Sequence, residues 1–178
     1  MKKHTLMAAA MACLMLTGCG GEEGEVKKAV VAELEKPLCM EVGRSIPFSI
    51  TISNPFAGAP HKEWVDVLVK EGLLKQTGTQ DQRVGAFAVT QGTYDVTSKG
   101  KKIQQDNALC YGKTKVLKLI DYSKPQSESA PYSQARVQVK HEITESWAKN
   151  PIFEDRVESG EDTVSVTLVK TNKGWRAP

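Results

Sequence analysis

No stretch of this 178-residue chain is long and apolar enough to cross a bilayer as a helix. Its longest apolar run, Leu6 to Leu16, holds 11 residues where a span needs roughly 20. Charge of one sign is also missing. Without Lys2 and Lys3 the remainder carries 22 basic against 21 acidic side chains, a near balance that speaks against nucleic acid as a partner. Internal repeats and low-complexity segments are absent, which excludes solenoids and disordered tails.

The signatures of common chemistries are missing as well. There is no Gly-x-Ser-x-Gly turn to expose a serine nucleophile, and no Gly-rich loop ending in Lys-Ser/Thr to cradle phosphate. His141-Glu142-Ile143-Thr144-Glu145 approaches the zinc-binding His-Glu-x-x-His pattern, but Glu145 stands where the second histidine belongs. The segment also reads as a strand, where positions four apart lie about 13 Å from each other. Beyond the leader only His61 and His141 remain as bases. His141 is in phase with Val137 and Val139, so a core or sheet-edge histidine is the preferred reading over a ligand. Paired carboxylates stay open, because their spacing belongs to the fold.

What is present begins with a leader. Lys2, Lys3 and His4 form a basic start, Leu6 to Leu16 an apolar core, and Thr17-Gly18 a small-residue exit before Cys19. Leu16-Thr17-Gly18-Cys19 resembles the lipobox of bacterial lipoproteins. The resemblance implies cleavage after residue 18 and modification of Cys19 with diacylglyceryl and a further fatty acyl chain such as palmitate. Two or three chains hold stably where one would not, at about 0.8 kcal/mol per buried methylene. The sorting pattern of that family, with Gly20 rather than Asp after the cysteine, implies the outer membrane, on the periplasmic face more than the cell surface.

Cleavage leaves 160 residues, enough for one domain with its own core. Cys13 leaves with the leader and Cys19 takes lipid, so Cys39 and Cys110 remain for one structural disulfide. It closes a loop of 72 residues, worth roughly 4 kcal/mol in chain entropy. The redox alternative would favour a Cys-x-x-Cys pair, which the chain lacks.

Gly20 to Gly24 reads as a short tether. Val26 to Lys36 is a helix by its four-residue apolar repeat, and a second helix runs from about His61 to Leu74 behind Pro60. Alternation marks strands at 46–53, 135–143 and 163–170. Weaker patterns mark 84–90, 94–97 and 116–122, and Asn172-Lys173-Gly174 turns the chain before Trp175. Clean alternation favours antiparallel pairing with one wet face. The expectation is an α+β fold: residues 1–18 a signal peptide, 19–24 a lipidated tether, and 25–178 a single domain. That domain would hold a mainly antiparallel, curved sheet with two helices packed on one face.

Two local features remain. Leu68-Val69-Lys70-Glu71-Gly72-Leu73-Leu74, followed by Tyr94-Asp95-Val96-Thr97-Ser98-Lys99-Gly100, resembles the recognition-helix end and wing of winged-helix regulators over about 35 residues. The helix that should precede it is replaced by a strand, so only a helix–hairpin similarity is implied, and no DNA-binding role. Lys99, Lys101 and Lys102 are either a solvated turn or a contact with an anionic surface, at about 1 kcal/mol per lysine. The 123–133 loop, rich in Pro, Ser and Glu, is a binding loop or a connection.

The reading is a non-enzymatic envelope lipoprotein, with no cofactor and no metal, that binds another envelope protein. The rival is a small-ligand or polymer binder using the concave face of the sheet. Replacing the anchor residue, Cys19→Ser, is expected to move the protein from the membrane fraction to the soluble one; retention on fractionation would sink the anchor.

Overall fold

The computed structural model describes residues 21–55, 58–59, 61–85, 87–125, 127 and 131–178. The leader, Cys19 and Pro60 lie outside them. Helix α1 (Glu22–Leu34) is followed by strands β1 (Pro37–Glu41) and β2 (Phe48–Ser53). Helix α2 (Lys62–Lys70) leads into a long hairpin, β3 (Leu74–Val84) and β4 (Phe87–Val96). Then come β5 (Gln104–Gln105), β6 (Ala108–Tyr122), β7 (Tyr132–Ile143), β8 (Gly160–Thr171) and β9 (Gly174–Arg176).

The α+β expectation is overturned. Strand accounts for 51% and helix for only 21%, which makes this a β-rich fold. There are two sheets instead of one: a curled, half-barrel sheet in the order β1-β6-β7-β8-β9 with β5 beside β6, and a three-stranded sheet in the order β2-β4-β3. The two helices do not share a face. α1 packs on the half-barrel, while α2 packs beside β2 and β3. The reason lies in residues such as Leu74-Lys75-Gln76-Thr77-Gly78-Thr79-Gln80. They form half of β3 with almost no apolar alternation, because that strand is largely exposed. α1 also starts at Glu22, four residues before Val26, and takes in most of the stretch read as tether.

Each helix has its own core. Val26, Ala29 and Val30 of α1 are buried against Ala135, Val137 and Val139 of β7, Val166 and Leu168 of β8, and Trp175. Full burial of each valine contributes about 1.5–3 kcal/mol. Three acids in the first turn of α1 suit its positive end. There Glu22 meets Lys170 at 2.8 Å, and the Lys170 ammonium holds the Glu22 carboxyl below its ordinary range. The second core gathers Trp64, Val65 and Leu68 of α2 with Leu73, Leu74, Phe48, Tyr94, Val96, Leu109, Tyr111, Trp147 and Phe153. Between the cores, buried Thr114 places its hydroxyl 3.1 Å from Nδ1 of His141, and Nε2 of His141 lies 3.8 Å from Glu158.

The curl of the half-barrel has a local cause. Opposite β7, the register of β6 slips between Val116 and Lys118 and again between Leu119 and Asp121, leaving Leu117 and Ile120 as extra residues. Two bulges so close together increase the local twist. The side chains of both extra residues stay exposed, at 39% and 42%. On the other flank of β6, Cys39 faces Cys110 in register with sulfurs 2.08 Å apart, fastening the five-residue edge strand β1.

The segment resembling a helix and wing folds as one locked unit. Gly72 takes φ +72° just after α2. Its N–H donates to Val69 and that of Leu73 to Leu68, each at 2.9 Å, so glycine closes the helix and turns the chain into β3. Thr97 then binds back. Its N–H donates to the Leu73 carbonyl at 2.9 Å, and its hydroxyl donates to Gly72 at 2.6 Å while accepting from the Gly100 N–H. Gly100 is required by close approach, since a Cβ there would lie 2.3 Å from the Leu73 oxygen. Gly100→Ala is expected to cost about 1–3 kcal/mol by urea denaturation, whereas Gly78→Ala, whose Cβ would have ordinary contacts, should cost less than about 1. Equal costs would show that the close approach at Gly100 imposes no special demand for glycine and would refute its role in the lock.

Candidate functional site

A cleft of about 650 Å³ opens where β1 ends, β2 begins and α2 starts. Its floor is aromatic. Phe48 stacks between Trp64, with centroids 6.5 Å apart, and Tyr94, at 5.9 Å. Phe48 and Trp64 are both buried, at 6% exposure, so little of either ring is open to solvent. The segment Val42 to Pro47 folds over this floor. Gly43 is needed there, because a Cβ would come within 2.7 Å of Phe48. Asn107 secures the loop by donating its side-chain amide to the Arg44 carbonyl at 2.9 Å and accepting from the Val42 N–H at 3.0 Å.

Three basic side chains line the opening: Arg44, His61 and Arg156. His61 occupies the position just before α2 without a side-chain capping bond, and its Nδ1 accepts weakly from Trp64 Nε1 at 3.5 Å. Arg156 follows the turn Pro151–Phe153, whose end is fixed by the Arg156 N–H on the Phe153 carbonyl. Its guanidinium carbon lies 5.1 Å from the Trp64 ring centroid, a cation–π contact worth about 0.5–1 kcal/mol at an exposed site. Neither Arg44 nor Arg156 forms an ion pair among the described residues. One acid, Glu41, lines the same cleft. The arrangement is a positively charged mouth above an apolar floor.

No family model, curated protein or solved structure matches this chain. The site rests on its own geometry.

Of the residues singled out in the sequence, His61 lines this cleft and the other described ones fall elsewhere. Lys99 donates its ammonium to the Glu71 carbonyl at 2.7 Å, at the negative end of α2. Lys101 and Lys102 are exposed on the following turn. That turn leads into β5, which pairs with the first residues of β6, whereas Glu22 at the start of α1 meets Lys170 near Tyr122 at the other end of β6. Leu109 and Tyr122 are thirteen residues apart, up to about 40 Å along a strand. His141 is held by Thr114 and Glu158 as described, and no cluster of three His, Cys, Asp or Glu able to hold a metal exists among the described residues. Cys19 lies outside them.

A second cavity, about 620 Å³, sits beside the start of α1 between Glu22, Lys124 and Lys170. Lys170 is already committed there, to Glu22 and to the face of Trp175 at 5.5 Å. Sequence reasoning missed the arginine cleft. Arg44 and Arg156 are isolated residues in irregular segments; of the cleft, only the floor had a pattern, Trp64 on the apolar face of α2 and Phe48 in the alternation of 46–53.

The floor and the rim should separate on mutation. Trp64→Ala is expected to cost about 3–5 kcal/mol in chemical denaturation, and Arg156→Ala less than about 1. An arginine cost as large as that of Trp64 would make Arg156 part of the core and not of a binding rim.

Proposed function

We propose that this chain is a membrane-anchored envelope lipoprotein that carries out no reaction itself and binds another envelope protein. Cys19 would hold it by lipid in the outer membrane, on the periplasmic face. The observation that carries the reading is polarity. The cleft of Arg44, His61, Trp64 and Arg156 borders the α2 core, beside the end of β1 that pairs with the start of β6, while Glu22, at the start of α1, meets Lys170 near Tyr122 at the other end of β6. Three residues from Cys19 to Glu22 reach at most about 11 Å. Anchorage there would put the lipid and the cleft at opposite ends of β6, leaving the cleft open to a partner. Lys99, Lys101 and Lys102 lie toward the opposite end of β6 from Glu22.

The rival, a small-ligand or polymer binder on the concave face, meets an obstacle. One face of the curled sheet is covered by Val26, Ala29 and Val30 of α1. A small ligand is left with the cleft or with the cavity beside Glu22, Lys124 and Lys170.

A photo-crosslinking residue at Ser45, on the cleft, is expected to capture one envelope protein in intact cells. The same residue at exposed Lys173, on the β8–β9 turn, should not capture it. Mass spectrometry identifies the captured chain. No capture from Ser45, or equal capture from both positions, would overturn the proposal.

A further inference from the structure

We infer that the cleft recognises carboxylates on an acidic segment of its protein partner, with Arg44 and Arg156 as the recognising groups. This rests on the cleft being the binding surface. The argument starts from unspent charge. Elsewhere on the domain, Arg136 is paired with Asp121, Lys62 with Asp66, and Lys170 with Glu22. At the cleft, two guanidiniums line one opening and neither is paired among the described residues.

Arginine is the cation suited to this task. Its planar fork of N–H donors matches a carboxylate in two parallel hydrogen bonds, which an ammonium cannot do. Arg156 is held over the Trp64 ring, a contact that leaves donors at the rim of the guanidinium plane free for such a ligand. The start of α2 adds to the field. His61 and Trp64 of its first turn line the cleft, no side chain caps its N-terminus, and a helix start carries partial positive charge. Glu41 opposes this with one negative charge, so the excess is modest and favours a segment that offers two carboxylates over one with a single charge. The apolar floor of Phe48 and Trp64 lies beneath, at hand for an uncharged residue between them.

The test uses the full lipidated protein and two readouts. Arg44→Gln and Arg156→Gln remove charge from exposed side chains, and thermal melts check that each variant folds. Crosslinking from Ser45 in cells is expected to fall at least about ten-fold in either variant, and Arg156→Lys, which keeps the charge but not the fork, should fall between. In detergent micelles, a capped ten-residue polyglutamate should compete with the captured partner and shift the Trp fluorescence; capped polylysine should do neither. Undiminished crosslinking in both glutamine variants would overturn carboxylate recognition while leaving the cleft as a binding surface. Inorganic phosphate competing as well as polyglutamate would overturn the acidic-peptide assignment in favour of a general anion site. Absence of capture in the wild type would fail the underlying reading instead.

Discussion

Strand β6 runs through both hydrophobic cores, as its neighbour β7 also does by way of Ile143, and the rest of the domain depends on its continuity. Leu109 and Tyr111 point into the α2 core, while Val116, Leu119 and Tyr122 pack against the α1 core. The ladder with β7 runs from Gly112 to Tyr122 and so bridges the two. At the crossing, apolar contact gives way to the Thr114–His141 hydrogen bond. A polar pair at that point is inexpensive only because both members are satisfied. The bulges at Leu117 and Ile120 come just after it, so the strand bends where it passes from one core to the other, and the sheet curls around α1.

Much of this was legible where residues obey a period. The four-residue repeat of Val26 and Val30 and the alternation of Val137 and Val139, or of Val164, Val166 and Leu168, follow from one buried face meeting one wet face. The pairing of Cys39 with Cys110 followed from elimination. What was not legible has physical reasons. β3 is polar because an exposed edge strand needs no apolar face, and its ladder with β4 is made by the backbone, which every residue supplies alike. Missing β3, β1 and the first half of β6 is what tilted the reading toward α+β. The cleft was invisible for another reason: Arg44, His61 and Arg156 come from three separate parts of the chain, and only folding brings them to one opening.

The domain also divides its polar groups by task. Some cations near regular elements are spent on structure: Lys99 on the carbonyl end of α2, Lys170 on Glu22 and Trp175, Arg136 on Asp121. These pairs are exposed, and each contributes little to stability. The arginines of the cleft sit on irregular segments, where position is set by backbone hydrogen bonds to Asn107 and Phe153. Rigid backbone with free side chains suits recognition better than it suits packing.

The Cys39–Cys110 bond has a topological consequence. The residues it encloses contain all of β2, α2, β3, β4 and β5. Before folding, the oxidised chain is therefore a ring with two tails: a short one holding α1, and a long one holding most of β6 and all of β7, β8 and β9. The three-stranded sheet and its helix form wholly inside the ring, over a reduced conformational search. The half-barrel is completed by the tails adding to β1, β5 and the start of β6 at the ring's closure, and among the described residues Tyr111, Trp147, Ala148 and Phe153 reach from the long tail to complete the buried core inside the ring.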